Sequence, residues 1–168
     1  MAPAPDARNV LRVETDGPEG TEDFAARFAR TLRAGDVIAL HGELGAGKTC
    51  FVRGLARGMG LSAQVSSPTF ALLHAYEGTL PLHHLDAWMS ARGEAFLRDG
   101  GAAWLRSDGV CAIEWAERVA DWLPPERFEV RLEHAGEERR RIEVRWTGPE
   151  DRLGALAAES WPTSGSSP

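Results

Sequence analysis

Apolar and polar positions follow two rhythms along this chain. From Val10 to Thr15 (VLRVET) they alternate, the period of a strand with one buried face, which places Leu11 and Val13 toward a core. At Thr21 the period lengthens. Phe24, Phe28 and Leu32 recur at i, i+4 and i+8, behind Thr21 as an N-cap with Glu22 and Asp23 in the first turn and ahead of Gly35 as a stop, so an amphipathic helix is expected. DVIAL (Asp36 to Leu40) is a continuous apolar run, as in a strand covered on both faces. Lys48 to Met59 reads as a helix with Phe51, Val52, Leu55 and Met59 on one side. FALLHAY, LPLHHLD and GVCAIEW are short apolar segments that read as central strands, separated by turn residues or by the helical pattern from Glu94 to Leu105. AERVADWL ends at Pro124 and Pro125. RFEVRLEH and RRIEVRW then alternate around the turn AGEE and predict an antiparallel hairpin, and a short helix is expected between Asp151 and Ala158. Residues 10–158 make one domain on this reading, with 1–9 a flexible lead and 159–168 a disordered tail.

Composition narrows the picture. A chain of 168 residues that is 43% hydrophobic can bury one good core and is short for two domains. Its net charge of −6 provides no basic field for a phosphate backbone, which argues against autonomous nucleic-acid binding. Cys50 and Cys111 lie in apolar stretches without C-x-x-C spacing and read as buried thiols of a reducing compartment. No apolar run reaches the roughly 18 residues that span a bilayer, and MAPAPDARN lacks the regions of a signal peptide. A soluble, cytoplasmic protein with no membrane association is expected.

Between the apolar strand and the helix that follows it, Gly42 to Thr49 (GELGAGKT) fits G-x-x-x-x-G-K-[ST] at every position. Glycines allow backbone conformations in which consecutive N–H groups point at phosphate oxygens, with a helix N-terminus behind them. Lys48 would reach the β- and γ-phosphates, and the Thr49 hydroxyl would face a Mg²⁺ that bridges them. Guanine-specific relatives of this loop read the base with Asn-Lys-x-Asp. The single asparagine here is Asn9, so ATP is favoured over GTP.

A Mg²⁺–nucleotide site also needs a carboxylate at the end of a neighbouring strand, and Asp86 (LHHLD) and Glu114 (CAIE) both follow apolar runs. Glu114 would equally serve as the cap of the segment after it. VSSPTF (Val65 to Phe70) is a Pro-stiffened turn with hydroxyls, either a plain turn or a loop that senses a γ-phosphate. His83 and His84 are adjacent, so on a strand they face opposite sides and cannot chelate one metal. ERRRIE (Glu138 to Glu143) reads as a solvated edge, or less simply as a lid or docking patch. Trp104, Trp122 and Trp146 read as packing residues.

Taken in order, GELGAGKT, SPTF, HLDAW and IEWAERV resemble the TsaE family, formerly YjeE, small bacterial ATPases of tRNA threonylcarbamoyladenosine synthesis; the likeness runs from about Val10 to Trp146. The resemblance implies a P-loop α/β three-layer sandwich whose central parallel sheet is extended by antiparallel strands. It implies that Gly45, Ala46, Gly47, Lys48, Thr49 and Cys50 wrap the phosphates of ATP, that Thr49 and Glu114 hold Mg²⁺, and that Thr69 lies in a switch-like segment. Asp86 would match the aspartate of the family's His-x-Asp-Leu-Tyr-Arg motif and order the attacking water. Ala87, Trp88 and Met89 stand where Leu, Tyr and Arg are usual, so the charge of that arginine is missing. Base contacts would come from the segment before the first helix and from the hairpin near Gly136. The family's partner is the TsaB–TsaD pair, whose turnover its ATP hydrolysis supports, with tRNA met only indirectly through that complex.

Two other classes stay open on the residues alone. A small-molecule kinase also combines a P-loop, carboxylates and an Arg-bearing lid, here Arg139 to Arg141, but no acceptor-binding insertion is evident. A module holding nucleotide as a structural ligand would have no use for both Asp86 and Glu114.

Overall fold

The computed structural model describes residues 9–161 apart from 63 and 67–71. Seven strands form one mixed sheet: β1 (Val10–Asp16), β2 (Val37–His41), β3 (Leu73–Tyr76), β4 (Leu82–Asp86), β5 (Val110–Glu114), β6 (Phe128–His134) and β7 (Arg139–Trp146), in the spatial order β1-β7-β6-β2-β5-β4-β3. β6, β2, β5 and β4 run parallel, while β1, β7 and β3 are antiparallel to their neighbours. Helices α1 (Gly17–Ala29) and α2 (Lys48–Gly58) cover one face. On the other lie α3 (Ser90–Arg98) and 3-10 segments at Gly101–Arg106 and Ala116–Trp122, and a short α4 (Gly154–Ala157) follows β7. This is the expected three-layer α/β sandwich.

The strand periods explain the layering. In β2, Ile38 and Leu40 enter the core under α1 and α2, while Val37 and Ala39 enter a second core with Leu85, Ile113, Leu97 and Val119. A strand that buries both faces has no reason to alternate, which is why DVIAL is apolar throughout. β7 is different: Ile142, Val144 and Trp146 are buried, whereas Arg141, Glu143 and Arg145 between them stay at the surface. Under the first core α1 and α2 touch closely, because a Cβ on Gly54 would stand 2.4 Å from the Glu22 carbonyl oxygen and one on Gly58 2.2 Å from that of Ala26. That contact seats the start of α2.

Several expectations shift. Helix α1 begins at Gly17, a turn before the expected cap, because Pro18 suits a first turn that needs no N–H; Thr21 is buried inside it and shares a 2.9 Å hydrogen bond with Thr15. The helix also ends at Ala29, short of Gly35. β3 lies at the sheet edge rather than centrally. The ERRRIE run is not an edge either: β7 pairs with β1 on one side and β6 on the other. Of the expected flexible lead and disordered tail, residues 1–8 and 162–168 lie outside the described residues, and what is described is their inner margin. The Asn9 side chain donates to the Glu150 carbonyl at 2.9 Å, and Trp161 packs edge-on against Phe24 with Arg27 stacked 3.9 Å from its ring centre.

Candidate nucleotide site

β2 and α2 are joined by the glycine loop, and packing fixes its shape. A Cβ on Gly42 would meet the Leu132 carbonyl oxygen at 2.7 Å, so only glycine lets the chain leave β2 beside β6. Gly47, in the left-handed region at φ 106°, caps α2. Lys48, Thr49 and Cys50 then open the helix. The first intrahelical bond is that from Phe51 N–H to the Gly47 carbonyl at 2.8 Å, so the N–H groups ahead of it have no partner within the helix and suit an anion. Ala46 contributes backbone alone: its side chain is buried, its N–H closes on the Glu43 carbonyl at 3.0 Å, and its carbonyl faces the hairpin.

Lys48 is buried. Its Nζ donates to the Gly42 and Glu43 carbonyls at 2.6 and 3.0 Å and lies 3.8 Å from the centre of the Trp115 ring. Burial lowers its pKa, against the opposing pull of Glu114, Glu117 and Asp86. A cation held on neutral carbonyls beside carboxylates is ready to exchange those bonds for phosphate oxygens.

Asp86 ends β4, Glu114 ends β5, and the two are register partners across the parallel pair. His84, Asp86 and Glu114 share the face that meets α2, since they follow Leu82 and Ala112 of that core at the strand period of two. Thr49 donates its hydroxyl to Glu114 Oε1 at 2.7 Å, and His84 Nε2 sits 2.7 Å from the same oxygen. With Nε2–H donating to the carboxylate, His84 Nδ1 is buried without a hydrogen-bond partner among the described residues. Asp86 accepts the Trp88 N–H at 2.8 Å on Oδ1. All of this opens on a cavity of about 360 Å³, lined among others by Gly45, Lys48, Thr49, Asp86, Glu114 and Trp115. Trp115 takes a left-handed backbone (φ 58°, ψ 41°), uncommon for a residue with a side chain, as the chain turns out of β5.

The donor set suits Mg²⁺. A hydroxyl and a carboxylate oxygen are hard ligands, and no cluster of three or more His, Cys, Asp or Glu is placed to hold a metal alone among the described residues. An ion with two protein ligands must complete its shell with phosphate oxygens and water, the usual habit of Mg²⁺.

A second cavity, also about 360 Å³, lies on the other side of the loop, between Gly17 and Pro18 at the start of α1 and Glu137, Glu138 and Arg140 of the hairpin, with Cys50 and Arg53 lining it as well. Gly136 adjoins it through Glu137. The structure therefore brings together Gly45, Lys48, Thr49, Cys50, Asp86 and Glu114, puts Gly136 at the edge, and leaves Thr69 outside the described residues. Cys50 is half-buried rather than fully buried; burial and the nearby Glu22 carboxylate raise its pKa to about 11.

Sequence reasoning missed two contributors, His84 and Arg140, and an ion-paired neighbour of the loop, His41. His84 was set aside as half of a mismatched pair, although its place two residues before Asp86 on one strand puts both on the same face. His41, just before Gly42, lies between Glu117 at 3.1 Å and Glu129. Burial pushes the Glu129 carboxyl up, but His41 and Arg127 together bring it below its ordinary value. Arg140 belongs to a run expected as a solvated edge, or else as a lid or docking patch, and it reaches the loop.

A family model described as threonylcarbamoyl adenosine biosynthesis protein TsaE matches residues 15–142. The chain belongs to the TsaE family. It is 40% identical over 134 residues to the Treponema pallidum tRNA threonylcarbamoyladenosine biosynthesis protein TsaE, covering 80% of this chain and 99% of that one. To the Bacillus subtilis protein of the same name it is 38% identical over 151 residues, 89% of this chain and 92% of the relative. The crystal structure of Bacillus subtilis YdiB superposes with a TM-score of 0.75 at 32% identity, over 88% of this chain and 92% of that one. The match covers every site residue of this TsaE-family chain, from the glycine loop to the hairpin turn. No helix is long and apolar enough to cross a membrane among the described residues.

Proposed function

We propose that this TsaE-family protein is a Mg²⁺-dependent ATPase of tRNA N6-threonylcarbamoyladenosine biosynthesis, cytoplasmic, slow alone and active on the TsaB–TsaD complex. The observation that carries the reading is the convergence of Lys48, Thr49, Asp86 and Glu114 on one cavity at the C-terminal edge of the parallel strands. The triphosphate lies along the loop, with Lys48 moving from the Gly42 and Glu43 carbonyls to the β/γ-phosphates. Thr49 and Glu114 would hold Mg²⁺, which would offset negative charge on those phosphates. Asp86 accepts a hydrogen bond from the water that attacks the γ-phosphorus, and the cleaved bond leaves ADP and inorganic phosphate. The base occupies the second cavity, between the entry to α1 and the hairpin turn beside Gly136.

Slow intrinsic turnover follows from the charge inventory. Met89 stands exposed where an arginine is usual in the family, so transition-state charge on the γ-phosphoryl lacks one stabilising group. Docking on TsaB–TsaD supplies what is missing, with the segment around Ser67 to Thr69 taking part, and ATP in turn strengthens docking. The kinase alternative loses its lid, because Arg140 is bonded to the loop and Arg141 lies on the opposite face with Glu14.

The test is a pull-down of TsaB–TsaD with ATP, with a non-hydrolysable analogue and without nucleotide, together with phosphate release in each mixture. Association favoured by ATP and a rate raised by the partners are expected. Equal association in all three, with an unchanged rate, would defeat the proposal, and a Lys48→Ala protein that folds and binds ATP like the parent would remove the site.

A further inference from the structure

Two cations grip the loop from opposite sides. Lys48 takes the Gly42 and Glu43 carbonyls from within. From the hairpin, the Arg140 guanidinium takes the next two that it can reach: Nη2 donates to the Gly45 carbonyl and Nε to the Ala46 carbonyl, each at 3.2 Å, while Nη1 is tied back to the Arg139 carbonyl at 2.9 Å and to that of Glu137 at 3.5 Å. The side chain gets there because Arg140 precedes Ile142 by two residues and shares its inward face, between Thr15 on β1 and His134 on β6. Arg139 and Arg141, one residue away on either side, point to the other face.

The two grips differ in what nucleotide does to them. Lys48 gives up its carbonyls when phosphate arrives, whereas Arg140 approaches from outside the loop and has no cause to move. Peptide bonds here are trans, with N–H and C=O on opposite sides of each plane. A guanidinium on the Ala46 carbonyl therefore turns the Gly47 N–H of the same peptide away from the hairpin, into the loop. Its fork fits two successive carbonyls as an ammonium cannot. Among the described residues Arg140 makes no ion pair with a carboxylate, so its charge stays available to the cavity it lines, although Glu137 and Glu138 line the same cavity and offset part of it.

We propose that Arg140 is a positioning residue of the phosphate loop, a fixed clamp that holds Gly45 and Ala46 in the anion-binding conformation before nucleotide enters. The inference rests on the nucleotide reading above, but its first readout is independent of it. Amide hydrogen exchange of the loop in the nucleotide-free protein should quicken about tenfold in Arg140→Met, with the protection of β2 and α2 unchanged. In calorimetry the affinity for Mg–ADP should fall about tenfold in Arg140→Met, and Arg140→Lys, which keeps the charge without the fork, should recover only part of it. Hydrolysis should lose through KM rather than kcat. Parent-like exchange in Arg140→Met, full recovery by Arg140→Lys, or a loss confined to kcat would each overturn the clamp. If the loop loosens in the variant while the parent itself binds no Mg–ADP, the clamp stands and the nucleotide reading falls.

Discussion

Strands β2, β4 and β5 are covered on both faces, whereas β6, β7 and β1 are covered on one and open to water on the other. The two halves carry their charges differently. On the open face, Arg12, Glu14, Arg141, Glu143 and Arg145 are linked by ion pairs at 2.8 to 3.3 Å, half in water. In the covered half, His84, Asp86, Glu114 and the facing Lys48 are each no more than 5% exposed. Burying carboxylates costs free energy that hydrogen bonds such as those from Thr49 and the Trp88 N–H offset only in part, and perturbed clusters of this kind concentrate at functional sites. The difference agrees with the proposed nucleotide site at the end of the covered half, with the open half as scaffold and Arg140 reaching from one to the other.

Breaking the working end should have the largest effect. Asp86→Asn is expected to slow phosphate release by roughly 10² to 10⁴ while nucleotide affinity stays within a few-fold, because it removes a proton acceptor and leaves the loop intact. Glu114→Gln should instead weaken Mg²⁺-dependent binding by about tenfold or more. ATP titrations at several Mg²⁺ concentrations separate the two, and loss of the same property by both would refute the division of roles. Neither empty variant should be less stable than the parent, since each exchanges a buried charge for a neutral isostere.

Next in size is the packing itself. Val37 and Ile38 are neighbours on β2 and lie in different cores, so Val37→Ala and Ile38→Ala should each cost about 2–4 kcal/mol in urea unfolding. On β7 the same test should alternate, with Ile142→Ala costing about as much and Arg141→Ala under about 1 kcal/mol. A cheap substitution at either β2 position would show that one face is not covered as described.

The contrast also explains what could be read from the residues. Period two in VLRVET and RRIEVRW gave β1 and β7 almost to the residue, and the unbroken apolar run gave β2, because water on one face or on neither leaves those patterns. The glycine loop was legible because its chemistry is local. β3 was misplaced because an apolar FALLHAY does not say which neighbours it has; sheet order belongs to the whole chain. Helix α1 was started late because Thr21 looks like a cap, and its buried partner Thr15 is visible only once β1 has folded back. His84 and Arg140 escape such reading for one reason: their roles depend on what folding brings within reach, Glu114 two positions along the next strand for the first and the Gly45–Ala46 peptides for the second.

A smaller effect concerns the thiols. Burial pushes Cys111 in β5 up to about 12 from an ordinary value of 9.0, so between those pH values the folded protein keeps a proton that the unfolded chain has lost. Stability must then fall as pH rises through that window, by at most about 1.4 kcal/mol per pH unit for this group. Cys50, raised to about 11, contributes in the lower part of the same range. Urea unfolding from pH 8 to about 10.5 should show a shallower decline in Cys111→Ala than in the parent, the difference cancelling other titrations. Equal slopes would mean that water reaches the covered half at β5.

The smallest effect is expected where the most ion pairs are seen. Glu143 accepts from Arg12 at 2.8 Å and Arg145 at 3.3 Å, yet Arg12 is 65% exposed and the pairs stand in high dielectric, where ordering long side chains consumes most of the Coulomb gain. Glu143→Gln should cost no more than about 1 kcal/mol, and the cost should shrink further in 1 M salt, where the screening length is about 3 Å. The same substitution should leave nucleotide affinity unchanged, because Glu143 faces away from the loop that Arg140 holds. A salt-insensitive loss of several kcal/mol would mean that this face is buried against something, and the division into a covered working half and an open scaffold would have to be redrawn around whatever covers it.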